Sequence, residues 1–127
     1  MAEQKKILIA DDEPDFIYVL SVRLEVNGYK VIAARDGEEA LSKTKEEKPD
    51  LVILDLMMPK INGFEVCRML KFDDAYKNIP IVVLSALDQQ RDREKATANG
   101  ADAYFIKPFD LKLLLTKIED LLKRGSS

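Results

Sequence analysis

Five short apolar runs, each separated from the next by a helical pattern, constrain the fold of this chain more than any other feature. The runs are continuous and do not alternate with polar residues, which is typical of strands buried on both faces of a parallel sheet. They predict five strands, at 7–10, 31–34, 51–54, 81–84 and 103–106.

The segments between these runs carry the apolar spacing and the capping residues of helices. Asp36 and Glu39 form a capping-box pattern, and Asp110 precedes the strongest apolar stripe. Five helices are predicted, at about 14–27, 36–47, 64–70, 88–99 and 111–125. Because parallel strands need right-handed crossover connections, the predicted fold is α/β, a doubly wound five-stranded parallel sheet with helices on both faces. We expect one domain over 1–124, with 125–127 as a tail, a linker stub or a cloning scar.

The composition excludes several classes of protein. The 127 residues include no His and a single Cys, which rules out His-based catalytic triads, classical zinc sites and intrachain disulfides. No apolar run approaches the roughly 20 residues of a membrane span, and the N-terminus lacks a signal-peptide pattern. We therefore expect a cytoplasmic protein without membrane contact. A net charge of −3 also disfavours direct nucleic-acid binding by this domain.

The candidate site residues follow directly after four of the five predicted strands, whereas Arg35, which follows the second strand, breaks this pattern. The candidates are Asp11 and Asp12 after the first strand, Asp55 after the third, Ser85 after the fourth and Lys107 after the fifth. In an open parallel sheet, ligands bind outside the carboxyl ends of the strands, near the point where the strand order reverses. We therefore expect these side chains to lie together at one edge of the sheet.

Each of these residues, taken alone, has an ordinary structural explanation: Asp12 as a helix N-cap, Ser85 as a turn hydroxyl and Lys107 as a surface charge. Three carboxylates at one edge, however, repel one another unless a cation lies among them. Oxygen ligands of this kind favour Mg²⁺ (or Mn²⁺). Carboxylates, a hard cation, a hydroxyl and an ammonium group together suit phosphoryl transfer. Asp55 is the candidate nucleophile, because its strand is expected to be central.

Six short motifs occur along the chain in a fixed order, and each is weak alone. They are Ile9-Ala10-Asp11-Asp12-Glu13-Pro14, Leu54-Asp55-Leu56-Met57-Met58-Pro59, Asn62-Gly63, Leu84-Ser85-Ala86, Asn99-Gly100-Ala101 and Tyr104-Phe105-Ile106-Lys107-Pro108-Phe109. Taken together, over essentially the whole chain, the sequence resembles the receiver domain of bacterial two-component response regulators, including chemotaxis receivers. The resemblance implies a flavodoxin-like fold with the strand order 2-1-3-4-5.

The resemblance also implies a role for each residue of the predicted site. Asp55 would accept a phosphoryl group from a histidine kinase or a phosphotransfer protein. Asp11, Asp12 and Asp55 would hold the metal ion, together with the backbone carbonyl of Met57. Lys107 would bind a phosphoryl oxygen, and its peptide bond to the following proline is expected to be cis.

The same resemblance implies a switch built from Ser85 and Tyr104. The Ser85 hydroxyl would move toward the phosphoryl group, and the Tyr104 ring would enter the space that it leaves. The surface of the fourth helix, fifth strand and fifth helix would then change and control an output domain or a downstream protein. The fourth helix suits this role, because its only apolar side chains are Ala96 and Ala98. Such a chain would be a signalling phosphoacceptor rather than an ordinary enzyme, and a monomer or a phosphorylation-dependent dimer.

Three other functions share parts of this pattern. A Mg²⁺-dependent aspartyl phosphatase would carry a second acid two residues after its nucleophile, where this chain has Met57. A flavodoxin-like mononucleotide binder would have a loop rich in Gly and hydroxyl residues after the first strand, where this chain has Asp-Asp-Glu-Pro. A scaffold that works without phosphorylation would not need the acidic residues together with Ser85 and Lys107.

Overall fold

The structure, a computed structural model, describes residues 4–125, and within them strands and helices alternate five times. The strands are β1 (Lys6–Ala10), β2 (Lys30–Ala34), β3 (Leu51–Leu54), β4 (Ile81–Ser85) and β5 (Ala103–Ile106). The helices are α1 (Pro14–Val26), α2 (Gly37–Glu47), α3 (Gly63–Lys71), α4 (Gln90–Ala98) and α5 (Leu111–Gly125). The predicted alternation is confirmed.

The five strands form one parallel sheet in the order β2-β1-β3-β4-β5, as predicted. β3 lies in the centre and every one of its residues is buried, which explains its continuous apolar sequence. β2 lies at an edge beside β1, outside the β1–β3 pair whose ends carry the acids, and the residue that follows it is Arg35. The strand order reverses between β1 and β3, and the fold therefore places the ligand-binding edge where β1 and β3 end.

Helices cover both faces of the sheet and bury two main hydrophobic clusters. On one face, α1 and α5 contribute residues such as Leu24 and Ile118, which pack against β1, β3 and β4. On the other face, α2 and α3 contribute residues such as Ala40 and Val66. Cys67 belongs to this second cluster and is fully buried, so the thiol is a core side chain. Each large aliphatic side chain buried in this way contributes roughly 1.5–3 kcal/mol to folding.

The capping box predicted at the start of α2 forms, with one difference in its bonding. The Asp36 carboxylate accepts a hydrogen bond from the backbone N–H of Glu39 at 2.8 Å, as expected of an N-cap. The Glu39 carboxylate accepts from the N–H of Arg35 at 2.7 Å, one residue before the N-cap. Both carboxylates therefore satisfy backbone donors at a helix start that intrahelical bonds leave free.

The helix boundaries differ from the prediction by two residues at most. α4 begins two residues later than expected, because Gln89 is its N-cap and the Asp92 carboxylate accepts from the Gln89 N–H at 3.2 Å. α5 extends to Gly125, and the rest of the expected tail, 126–127, lies outside the described residues. Within 4–125, no helix combines the length and the hydropathy needed to cross a bilayer.

Candidate functional site

The carboxyl ends of β1 and β3 place three carboxylates at one edge of the sheet. Asp11 follows β1 and Asp55 follows β3, and the residues before them, Ala10 and Leu54, are paired in register. Carboxylate oxygens of Asp11, Asp12 and Asp55 lie within 4.8 Å of one another. Asp11 and Asp55 are buried, whereas Asp12 is exposed. The structure therefore brings together the three acids that the sequence predicted to meet.

Asp55 is only 6% exposed, and its surroundings shift its acidity. Burial raises the pKa of its carboxyl above the ordinary value, because the charged form loses hydration. The backbone N–H of Met57 donates to the carboxylate at 3.2 Å, and this bond, the charge of Lys107 and the Ser85 hydroxyl counteract the rise in pKa. The negative charge of Asp11 adds to it. The loss of hydration and the charge of Asp11 therefore outweigh the contacts that stabilise the carboxylate, and the pKa of Asp55 stays above its ordinary value.

The ammonium group of Lys107 is the positive charge at this edge. Its Nζ lies 2.7 Å from the Asp11 carboxylate, 3.5 Å from that of Glu13 and 3.7 Å from that of Asp55. Burial acts to lower the pKa of Lys107, but the hydrogen bond to Asp11 and the nearby acids outweigh it and leave the pKa above its ordinary value. The side chain is 15% exposed, so Lys107 is not an ordinary surface charge. Its peptide bond to the following proline is cis, as predicted.

An open cavity of about 330 Å³ lies above the acids. It is lined by Asp12, Glu13, Asp55, Met57, Ala86 and Lys107. Asp12 is not the N-cap of α1, since Glu13 takes that position, and its exposed carboxylate is available to a ligand. This oxygen-rich set fits a hard divalent cation, which binds carboxylates, carbonyls and water.

The two predicted switch residues meet at Leu87, in the loop between β4 and α4. The Ser85 hydroxyl, fully buried, accepts from the Leu87 N–H at 3.3 Å. The Tyr104 hydroxyl donates to the Leu87 carbonyl at 2.7 Å. A movement of this loop would therefore change the contacts of both side chains.

The sequence did not predict the part that Gly63 plays at the site. Gly63 is the first residue of α3, and its N–H donates to the Leu56 carbonyl at 3.0 Å. A Cβ at this position would collide with the backbone of Asp55 and Leu56. Asn62-Gly63 was one of the six motifs that carry the resemblance, and the structure shows what its glycine does: it lets α3 approach the backbone that carries Asp55.

Glu13 and Phe16, which both contact Lys107, were also not predicted as site residues. Glu13 forms the 3.5 Å ion pair, and the Phe16 ring centre lies 4.0 Å from Lys107 Nζ. Neither residue follows a strand directly, so strand ends alone could not identify them. The only signal in the sequence is their place within five residues of Asp11.

The comparison with known families assigns the chain to one class of protein. A family model described as the response regulator receiver domain matches residues 7–119, which is most of the chain. The chain belongs to this family and is a receiver domain of the kind found in two-component response regulators. Its similarity to the relatives below supports the same assignment.

Two curated relatives and one solved structure illustrate the similarity. The chain is 43% identical to the alkaline phosphatase synthesis transcriptional regulatory protein PhoP of Bacillus subtilis, over 95% of this chain and 50% of PhoP. It is 41% identical to the DNA-binding dual master transcriptional regulator RpaA of Synechocystis, over 94% of this chain and 49% of RpaA. The structure of the chemotaxis response regulator CheY4 of Vibrio cholerae superposes with a TM-score of 0.86 at 31% identity, covering 94% of this chain and 99% of CheY4. The chain thus spans about half the length of these curated relatives.

Proposed function

We propose that Asp55 accepts a phosphoryl group from a phosphorylated histidine of a kinase or a phosphotransfer protein. The single observation that supports this most strongly is the buried Asp55 carboxylate beside Lys107, at the floor of an open cavity rimmed by acids. The Asp74 carboxylate, by contrast, is 97% exposed at the surface. The chain itself has no His, so the donor must be a partner or a small molecule.

The proposed reaction is an in-line transfer. A carboxylate oxygen of Asp55 forms a bond to phosphorus while the bond from phosphorus to the donor nitrogen breaks, and the electron pair leaves with the imidazole. Lys107 binds one phosphoryl oxygen as a point charge, and Ser85 donates its hydroxyl hydrogen to another. The reaction is therefore mostly positioning and charge stabilisation, with no general base required from the chain.

A divalent cation, Mg²⁺ or Mn²⁺, is part of the proposal. Asp11, Asp12 and Asp55 would hold it with the backbone carbonyl of Met57, and their oxygen donors fit such an ion. When bound, the ion would neutralise negative charge on the phosphoryl oxygens. Asp11 has a second task in the described structure, since it also accepts the hydrogen bond from Lys107.

The proposed output is a change in the surface formed by α4, β5 and α5. Phosphorylation adds negative charge and acceptor oxygens beside Ser85, and Leu87 connects that hydroxyl to Tyr104. The surface would then bind an output domain or a downstream protein, as a monomer or as a phosphorylation-dependent dimer. The transcriptional roles of these relatives favour an output at a promoter through another domain, and a cytoplasmic location is part of the proposal.

The test is the mass of the intact protein after incubation with acetyl phosphate and Mg²⁺. We expect the mass of one phosphoryl group to be gained by the wild type and by Asp74→Asn, whose carboxylate is 97% exposed and serves as a matched control. Asp55→Asn should gain none, and omission of the divalent ion should abolish the gain in every variant. A wild type that gains no mass would favour the scaffold that works without phosphorylation, and a gain that survives Asp55→Asn would place the phosphoryl group elsewhere.

A further inference from the structure

The ammonium group of Lys107 has one contact that the acidic cluster does not explain. Phe16, in the first turn of α1, places its ring centre 4.0 Å from Lys107 Nζ. The face of an aromatic ring attracts a cation, and the attraction grows where water is excluded. The Lys107 side chain is only 15% exposed, so this condition is met.

We infer that Phe16 is a positioning residue for phosphoryl transfer, which holds the Lys107 ammonium group at the cavity through its ring. This inference rests on the proposed function, because it assigns Phe16 a role in that same reaction. Phe16 itself is neither one of the clustered acids nor part of the cavity lining, and its contact with the cavity runs through Lys107.

A second ring holds Phe16 in place. The rings of Phe16 and Phe109 meet edge to face, with their centres 6.2 Å apart and their planes at 75°. Edge-to-face contacts of this kind are favourable beyond the burial of the two rings. Phe109 lies two residues after Lys107 in the loop between β5 and α5, so α1 contacts that loop at two points through the one Phe16 side chain.

A ring suits this role better than another carboxylate would. The carboxylates of Asp11 and Glu13 accept the hydrogen bonds of the Lys107 ammonium group and compete for them with a phosphoryl oxygen. The ring attracts the charge without accepting a conventional hydrogen bond. Lys107 can therefore exchange a bond to Asp11 for one to a phosphoryl oxygen while its contact with Phe16 remains. Without the ring, the flexible four-carbon stem would sample more orientations.

The experiment compares Phe16→Leu with Phe16→Tyr, which keeps the ring. A matched control is Phe64→Leu, because the Phe64 ring centre lies 4.3 Å from Lys95 Nζ, the same kind of contact outside the cavity. Two quantities are measured in each full chain. One is the NMR shift of the Lys107 ε-methylene protons without any phosphodonor, assigned with Lys107→Arg. The other is the initial rate of mass gain at Asp55 with acetyl phosphate and Mg²⁺.

We expect an upfield ring-current shift of the Lys107 ε-protons in the wild type, in Phe16→Tyr and in Phe64→Leu, and its loss in Phe16→Leu. The rate of phosphorylation should fall about threefold to tenfold in Phe16→Leu and stay near the wild-type rate in the other two variants. If Phe16→Tyr keeps the wild-type rate, the loss of rate in Phe16→Leu comes from removal of the ring and not from a packing defect.

Three results would overturn the inference: an ε-proton shift that Phe16→Leu leaves unchanged, a wild-type rate in Phe16→Leu, or a rate in Phe16→Tyr as low as that in Phe16→Leu. A failure of the proposed function is distinguished from these results. It would show as a wild type that gains no mass, whether or not the ring-current shift is present.

Discussion

α4 and α5 pack against opposite sides of the last strand, β5, but they are held there by different amounts of buried surface. α5 buries four large aliphatic side chains, Leu114, Ile118, Leu121 and Leu122. α4 buries only Ala96, which packs with Leu56 and Val83 beside Tyr104. Because burial of apolar surface is the main stabilising contribution of a surface helix, α5 is the firmly anchored element and α4 the weakly anchored one.

The remaining contacts of α4 with β5 are polar or electrostatic. The Arg93 guanidinium lies 4.9 Å from the centre of the Tyr104 ring, and it donates to the Tyr104 carbonyl at 3.5 Å. Such contacts at partly exposed positions contribute little to the free energy of folding, and replacing them by other contacts costs little free energy. We therefore propose that phosphorylation of Asp55 acts on α4, which lies next to Leu87 and Tyr104 and whose attachment costs less free energy to change than that of α5.

The largest expected difference between the two helices is in the effect of a core truncation. Leu114→Ala in α5 should lower the free energy of unfolding by about 2–5 kcal/mol, because it leaves a cavity in the main cluster. Ala96→Gly in α4 should lower it by only about 1–2 kcal/mol, from one lost methyl group and a poorer helix former. Urea denaturation of both variants measures the loss of unfolding free energy. Equal losses would show that the two helices are anchored equally firmly.

Amide hydrogen exchange compares the helices in the unmodified protein. Amides in the middle of α4 should exchange by local opening, well before those in the middle of α5, which should open only when the whole domain unfolds. NMR-detected exchange at individual residues is the appropriate measurement. Equal protection in the two helices would show that the single buried Ala96 is enough to anchor α4.

Cys67 reports on the opening of the α4 end that packs against α3. Burial raises the pKa of its thiol to about 12, and its Sγ–H donates to the carbonyl of Asn99, the C-cap of α4. Iodoacetamide should therefore react slowly with the native protein at pH 8, and faster in Ala96→Gly. A variant that loses the same unfolding free energy through a substitution far from α4 would give the control rate of alkylation. Fast alkylation of the native wild type would contradict this assignment.

The same thiol gives a dependence of stability on pH. The folded state keeps Cys67 protonated, so the contribution of this group to stability is complete below its ordinary pKa of 9.0 and is lost as the pH rises from there toward about 12. Cys67→Ala should remove this part of the alkaline loss of stability, as measured by thermal unfolding between pH 8 and pH 11. If the thermal stability of the wild type and of Cys67→Ala falls in parallel with rising pH, the thiol does not contribute to the alkaline loss of stability.

The smallest expected effect concerns the Tyr104 hydroxyl. Tyr104→Phe removes the 2.7 Å hydrogen bond to the Leu87 carbonyl and should cost about 1 kcal/mol. Exchange of the amides at the start of α4 should increase, while those of α5 should not change. An equal increase in both helices would mean that the hydroxyl stabilises the whole domain rather than the loop before α4.

The sheet and the acidic cluster could be predicted from the sequence because both follow from local patterns. Continuous apolar runs indicate buried parallel strands, and the residue after each run must lie at the carboxyl edge. The central position of β3 then places Asp55 beside the acids that follow β1. The sequence of 88–99, with Ala96 and Ala98 as its only apolar side chains, also predicted how little α4 buries: Ala96 is its single buried residue.

The contacts of Lys107 could not be predicted in the same way. Its partner Asp11 is 96 residues away in the chain, and a lysine stem can reach several acids at one edge. Phe16 lies on a helix, where its spacing is equally typical of a core residue, so only the structure shows its ring at Lys107. α4 starts later than predicted because Gln89 is its N-cap, and the Gln89 N–H donates to the Asp92 carboxylate in the first turn of the helix.

The most direct test of the account measures hydrogen exchange before and after treatment with acetyl phosphate and Mg²⁺, in the wild type and in Asp55→Asn. We expect the wild type to gain one phosphoryl group, deuterium uptake to change in peptides covering α4, and the buried face of α5 to keep its protection. Asp55→Asn should show neither the mass gain nor the change in α4. A phosphorylated wild type whose α4 exchanges as before, or a change in α4 that persists in Asp55→Asn, would contradict the account.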